Sequence, residues 1–341
     1  MIRIGIVGIG FMGRIHFLAS QKLEGARVTA ICSRDAQKRG GNWTATRGNF
    51  GPEPGRVDLT GVATYDSFDA MLADPDIDLI DICNTTTHHP ETAIRALRAG
   101  KHVLVEKAIA LLPEQADEML AVAKETGKLL VVAHVLPFFP EFRFAADTVL
   151  GGKYGKLLAA HFTRVIAKPD WSAEMDDAAA TGGPAVDLHI HDTHFIGLLA
   201  GVPTALFSVG REEAGAVNYL STSYLYGRDG PVITCTSGAI AKLGRLFVHG
   251  FEIFLEGATL SHSSAGDLPL TVFPKEGGSF RPELAGGGDP LAAFAMELQA
   301  AVDGVRTGIE PAWLSGKLAR DALMLCYKEI ESVRTGRIVT C

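Results

Sequence analysis

Short apolar runs and amphipathic stretches take turns along the first 135 residues of the chain. "IRIGIVG" opens it, and "RVTAIC", "IDLIDIC", "HVLVEK" and "KLLVVAHV" follow as brief segments rich in Ile, Val and Leu, the pattern of buried strands. Between them lie "YDSFDAMLAD", "PETAIRALRAG" and "PEQADEMLAVAKETG", which have helical spacing. Pro90 and Pro113 stand near helix starts, and Gly100 and Gly127 stand where helices stop. Strands and helices in strict alternation predict an α/β fold with a doubly wound parallel sheet, helices on both faces and ligand at the carboxyl ends of the strands. Those ends carry "GIGFMG", "CSRD", "CNTTTHH" and "EKA". Beyond residue 155 the rhythm changes: "LLAAHFTRVI", "VNYLSTSYLYG", "VITCTSGAI" and "LFVHGFEIFLEG" read as successive strands.

A length of 341 residues exceeds a typical single core, so two domains are expected, at 1–135 and 136–341. No apolar run approaches the roughly 18 residues needed to cross a bilayer, and the N-terminus lacks the charged and apolar regions of a leader. These features point to a cytoplasmic protein with no membrane partner. Five scattered cysteines without a CxxC pair argue against a disulfide framework or a thiolate zinc site. A net charge of −7 gives no footprint for nucleic acid.

Gly8, Gly10 and Gly13 fit G-x-G-x-x-G directly after the first strand, with Phe11 and Met12 opening the next helix. The first glycine suits a tight turn, the second a close approach to pyrophosphate, and the third the packing of helix on strand. The helix N-terminus beyond them favours an anion. After the second strand, Ser33 and Arg34 precede Asp35, where an NAD site would place an acid first. A hydroxyl and a guanidinium suit a 2′-phosphate, so the expected cofactor is NAD(P), with NADP favoured.

With "GIGFMG", "HHPETAIRALRAGKHVLVEKA" and "GGPAVDLHIHD" in this order, the chain resembles the glucose-fructose oxidoreductase / inositol dehydrogenase / MocA family over nearly its whole length. The resemblance implies a Rossmann domain followed by an α+β domain with a large open, mainly antiparallel sheet that often forms a subunit interface, hence a homo-oligomer. It also implies a dehydrogenase or reductase moving hydride between nicotinamide and a sugar, cyclitol or related polyhydroxy alcohol or carbonyl compound. Glu106, Lys107 and Ala108 stand where relatives commonly have E-K-P, and the lysine is the member to which substrate binding and catalysis are assigned. His89 matches the family histidine after the third strand read from the sequence, and Thr85 replaces a frequent proline there. Thr85, His89, Glu106 and Lys107 thus join Gly8 to Gly13, Ser33 and Arg34 as expected cofactor contacts. Two alternatives share this frame: a glycosidase that oxidises its substrate transiently while retaining its nicotinamide, and a nucleotide-sensing regulator that does no chemistry.

"GGPAVDLHIHDTHF" places Asp187, His189, His191 and His194 within eight residues. Pro184 after two glycines predicts one helix reaching about Ala200, on which Asp187, His191 and His194 share a face and His189 points away. Four ligands cannot converge from such a helix; a zinc site could use at most Asp187, His191 and His194 with a water or a distant ligand to complete a tetrahedron, and the expectation is that no metal is bound. The family pattern of an aspartate followed four residues later by a histidine matches Asp187 and His191. A neutral imidazole is suited to take a hydroxyl proton, and a carboxylate one turn back can orient it. Catalysis is therefore expected from Lys107, Asp187 and His191, with His194 and Trp171 as further substrate contacts.

Overall fold

A computed structural model describes all residues except 49, 169–177, 246, 267 and 286–288. The chain begins β1 (Ile2–Val7), α1 (Phe11–Ser20), β2 (Ala26–Cys32), α2 (Ala36–Arg39), β3 (Ala63–Tyr65), α3 (Phe68–Leu72), β4 (Leu79–Ile82) and α4 (His89–Arg98). It continues through β5 (His102–Glu106), α5 (Pro113–Thr126), β6 (Leu130–Ala133), α6 (Pro140–Leu150), β7 (Leu157–Ala167), α7 (Ala178–Thr181), α8 (Pro184–Asp187) and α9 (Ile190–Ala200). Strands β8 (Ala205–Glu213), β9 (Ala216–Leu225), β10 (Val232–Ala241), β11 (Val248–Leu255), β12 (Ala258–Ser263) and β13 (Leu268–Pro274) come next, then α10 (Ala292–Thr307), α11 (Gly316–Thr335) and β14 (Val339–Thr340).

The first six strands make a parallel sheet in the order β3-β2-β1-β4-β5-β6. Every residue of β4 is buried, as a strand covered on both faces requires. The strand order reverses between β1 and β4, and such a switch point is where these sheets bind ligands. The stretch 65–74, expected as one helix, instead ends β3 at Tyr65 and forms the five-residue α3. Tyr65 is held in the sheet, where its carbonyl accepts the amide of Ser33.

The chain separates into two compact units, Met1–Phe138 with Gly288–Arg320, and Phe139–Gly287 with Asp321–Cys341. The expected single division near residue 135 therefore needs correction. The segment carrying α10 returns to the first unit because that helix packs on α1, β1 and β6. Only spatial packing reveals this return, since an amphipathic helix does not state which sheet it covers.

The second unit holds an eight-stranded sheet, β13-β12-β11-β7-β10-β9-β8-β14, in which β7 and β10 run parallel and every other neighbouring pair antiparallel. The C-terminal "IVTC" supplies β14, which pairs with β8. Alternation buries one face, and the register places Phe207, Val209, Leu225, Val232 and Phe254 together on the other, all exposed. All five cysteines are free, and no described helix is long and apolar enough to cross a membrane.

Candidate active site

The glycine turn after β1 has the geometry that a dinucleotide needs. Gly8 has φ 91°, and a Cβ there would meet the backbone of Cys83 and Asn84 at 2.7–2.8 Å. A Cβ on Gly13 would come within 2.1 Å of the Gly8 carbonyl oxygen. Gly10 differs: nothing lies within 4 Å of the place its Cβ would take. Two glycines thus permit close backbone packing, while the third leaves open space beside the first turn of α1. That turn carries no acidic residue, and the amides that open a helix point out beyond its N-terminus. The cradle fits a pyrophosphate.

At the end of β2, Asp35 is committed elsewhere, its Oδ1 accepting the Gln37 amide as the N-cap of α2 at 2.8 Å. Arg39 donates to the carbonyls of Ser33 and Arg34 at 2.7 and 3.0 Å. Ser33 is half-buried and Arg34 exposed. The following Gly- and Pro-rich loop has anchors that its composition conceals. Trp43 is fully buried, donates from Nε1 to the Lys38 carbonyl at 2.8 Å and meets Phe17 edge-on at 5.0 Å. Phe50 packs against Phe11 and Phe294, with ring centroids at 4.7 and 5.2 Å.

After β4, the Thr85 hydroxyl lies 2.8 Å from His88 Nδ1. His89 is buried, with Nδ1 2.8 Å from the Ala108 carbonyl and Nε2 3.1 Å from that of Asn84. Burial lowers its pKa below the ordinary imidazole value. Its nitrogens tie the loop after β4 to the loop after β5, so the ring shapes the rim and turns neither nitrogen outward. Lys107 is half-buried just past the end of β5, and the Lys107–Ala108 peptide is cis. Glu106 is buried, and its Oε2 accepts the Lys107 amide at 3.0 Å.

In the second unit the expected single helix from Pro184 is broken. α8 ends at Asp187 and α9 starts at Ile190. The His189 amide reaches back five residues to the Pro184 carbonyl at 3.1 Å, while the Asp192 amide bonds to the His189 carbonyl only three residues back, at 2.9 Å. A widened turn followed by a tightened one rotates α9 relative to α8, so the helical wheel drawn across both does not hold. Asp187 and His191 are half-buried, whereas His194 is fully buried. The three therefore do not share one accessible face.

His189 is the anchor of the break. It is 0 % exposed, and its Nε2 lies 2.8 Å from Oε2 of the equally buried Glu329 on α11. Tyr224 donates from its hydroxyl to the other Glu329 oxygen. Burial opposes the charged imidazole, but the Glu329 carboxylate outweighs it and the pKa of His189 is raised. Next to it Asp192, also buried, receives two hydrogen bonds from Arg164, at 2.8 and 3.1 Å. Sequence spacing gave no sign of Arg164, Tyr224 or Glu329, which come from three other elements. Trp171 lies outside the described residues.

Among the described residues, two groups bring three metal-capable atoms within 4.8 Å of one another: His189, Asp192 and Cys235 in the second unit, and His16, Asp81 and Cys83 in the first. Neither includes Asp187, His191 or His194. The Asp192 carboxylate is already neutralised by Arg164, which accounts for that group without an ion.

Residues 2–134 match an oxidoreductase family described as having an NAD-binding Rossmann fold. The chain is 27% identical over 339 residues to the 1,5-anhydro-D-fructose reductase of Ensifer adhaerens, covering 92% of this chain and 93% of that one. It is 23% identical to the myo-inositol 2-dehydrogenase of Thermotoga maritima, covering 99% and 98%. Its fold matches a levoglucosan dehydrogenase solved with NADH and levoglucosan at a TM-score of 0.84 and 18% identity, over 99% of both chains. With a glycine cradle after β1, a lysine just past the end of β5 and relatives that span both units, residues 2–134 of this chain carry the Rossmann domain of the glucose-fructose oxidoreductase / inositol dehydrogenase / MocA family of NAD-binding oxidoreductases.

Proposed function

We propose that the protein transfers hydride between NAD(P) and a secondary alcohol or carbonyl of a sugar, cyclitol or similar polyhydroxy compound, with NADP as the favoured nucleotide. The observation that carries this reading is the open space at Gly10 beside α1, in a sheet whose β5 is followed directly by Lys107. Relatives named for anhydrofructose and inositol support the substrate class.

The nicotinamide, when bound, supplies or accepts the hydride. Lys107 Nζ donates a hydrogen bond to the reacting oxygen and stabilises negative charge as it develops. An imidazole nitrogen of His191 takes the hydroxyl proton in oxidation and returns it in reduction. Asp187 orients the imidazole or holds a neighbouring hydroxyl. The exposed Arg34 guanidinium, with Ser33, meets the 2′-phosphate.

The test begins with levoglucosan, myo-inositol, glucose and 1,5-anhydro-D-fructose, each offered with both nucleotides while nicotinamide absorbance is followed. On the compound that turns over, Lys107→Ala and His191→Ala should each lower kcat by ~10²–10⁴ and leave nucleotide affinity near that of the unaltered protein. Wild-type kcat in either variant would refute the roles assigned. Loss of turnover on chelation with EDTA, restored by zinc, would replace the proton relay with a metal.

A further inference from the structure

The first unit contains a second cluster of ionisable groups, and sequence spacing gives no hint of it. Its centre is His16 on α1, six residues beyond Gly10 and fully buried. His16 Nδ1 lies 2.9 and 3.1 Å from the two carboxylate oxygens of Asp81 on β4. The Cys83 thiol is 3.5 Å away. On the other side of the ring, Nε2 is 3.0 Å from Glu106 Oε1, an ionic contact not aligned as a hydrogen bond. Glu297 of α10 completes the surroundings; it is 0 % exposed and neither of its oxygens has a hydrogen-bond partner.

Burial works against a charged His16, but Asp81 and then Cys83 overcome it, and its pKa stands well above the ordinary imidazole value. An imidazolium has a donor on each nitrogen and can face a carboxylate on both sides. Such a buried group is a poor source of stability, because apolar side chains of similar volume generally do as well or better. What it does supply is direction. One oxygen of Glu106 faces His16, and the other accepts the amide of Lys107. The glutamate is thus held at both ends, and with it the peptide plane from which Lys107 begins.

We propose that His16 is a positioning residue: set between Asp81 and Glu106, it ties the nucleotide helix α1 to the end of β5 and fixes the backbone from which Lys107 reaches the reacting oxygen. The importance of this link rests on the role proposed above for Lys107, but its existence does not. The groups facing the ring are Asp81 and Cys83 from β4 and its end, Glu106 from β5, and Glu297 from α10.

The measurement uses the full chain without substrate. Reductive methylation with ¹³C-formaldehyde labels the lysines, and the Lys107 signal is assigned by its loss in Lys107→Arg. In His16→Gln and in Asp81→Asn, the chemical shift of that signal should change, while the other lysine signals stay in place and NADH, followed by fluorescence, binds within about threefold of wild type. A purely structural role would lower the melting temperature without moving the Lys107 signal, and an unmoved signal in both variants overturns the proposal. Should either variant fail to fold, ¹⁵N-histidine spectra of the unaltered protein decide: both His16 nitrogens should be protonated at pH 7.5, and a single protonated nitrogen overturns the proposal. Loss of the Lys107 catalytic role would show separately, as undiminished turnover in Lys107→Ala.

Discussion

Replacing His189 by alanine tests how the second unit holds its proposed catalytic segment. The imidazole and the Glu329 carboxylate are both 0 % exposed. Truncation would leave the carboxylate buried with only the Tyr224 hydroxyl to satisfy it. Removing one partner of a buried pair costs about 3–5 kcal/mol. For a unit of about 170 residues, each kcal/mol shifts the melting temperature by roughly 2–4 °C, so the expected drop is about 6–20 °C. Adding Glu329→Gln to His189→Ala should cost less than the sum of the two single changes, because glutamine leaves no buried charge. Since the pKa of His189 is raised in the folded state, the pair contributes fully below pH about 6.5, and the contribution is lost as pH rises through the folded value. Calorimetry at a series of pH values should therefore find the gap between wild type and His189→Ala widest near pH 6 and narrower in alkali. A drop of under about 2 °C at pH 6 would refute the account. It would also restore the outward-pointing His189 of an unbroken helix.

Arg34→Ala should weaken NADPH by ~1–3 kcal/mol in a fluorescence titration and leave NADH nearly unchanged; equal losses would remove the preference for NADP. Glu297→Gln should stabilise the protein increasingly as pH rises above about 4.5. Burial holds the Glu297 pKa well above the ordinary carboxyl range, so the wild-type side chain loses stability over that window while glutamine does not, and a melting-temperature difference that ignores pH would contradict the assignment. The exposed apolar face carrying Phe207, Val209, Leu225, Val232 and Phe254 should pair with another copy of the chain; sedimentation of a dilute, active monomer would count against that.

Much of the nucleotide cradle was legible in the sequence because its determinants are local. Gly8, Gly10 and Gly13 act through backbone conformation and the absence of a Cβ, which the residue names state directly. The parallel sheet was legible for a similar reason: strands buried on both faces must be continuously apolar, and the helices between them must be amphipathic. Short elements were less visible, since β3 has three residues and shows no period. What the sequence could not express were contacts whose partners lie far apart along the chain. The helix across Asp187 and His191 breaks at a histidine held by Glu329, 140 positions later, and no helical wheel contains that partner. His16 lies 65 residues from Asp81 and 90 from Glu106, and in the sequence it is one of three polar residues, with Arg14 and Ser20, on a mostly apolar helix. Local propensity and periodicity determined the sheet and the glycine turn, and the family resemblance marked the candidate lysine. The charged groups that orient those elements were decided by tertiary packing alone, because a buried charge is tolerable only where the fold brings its counter-charge to meet it.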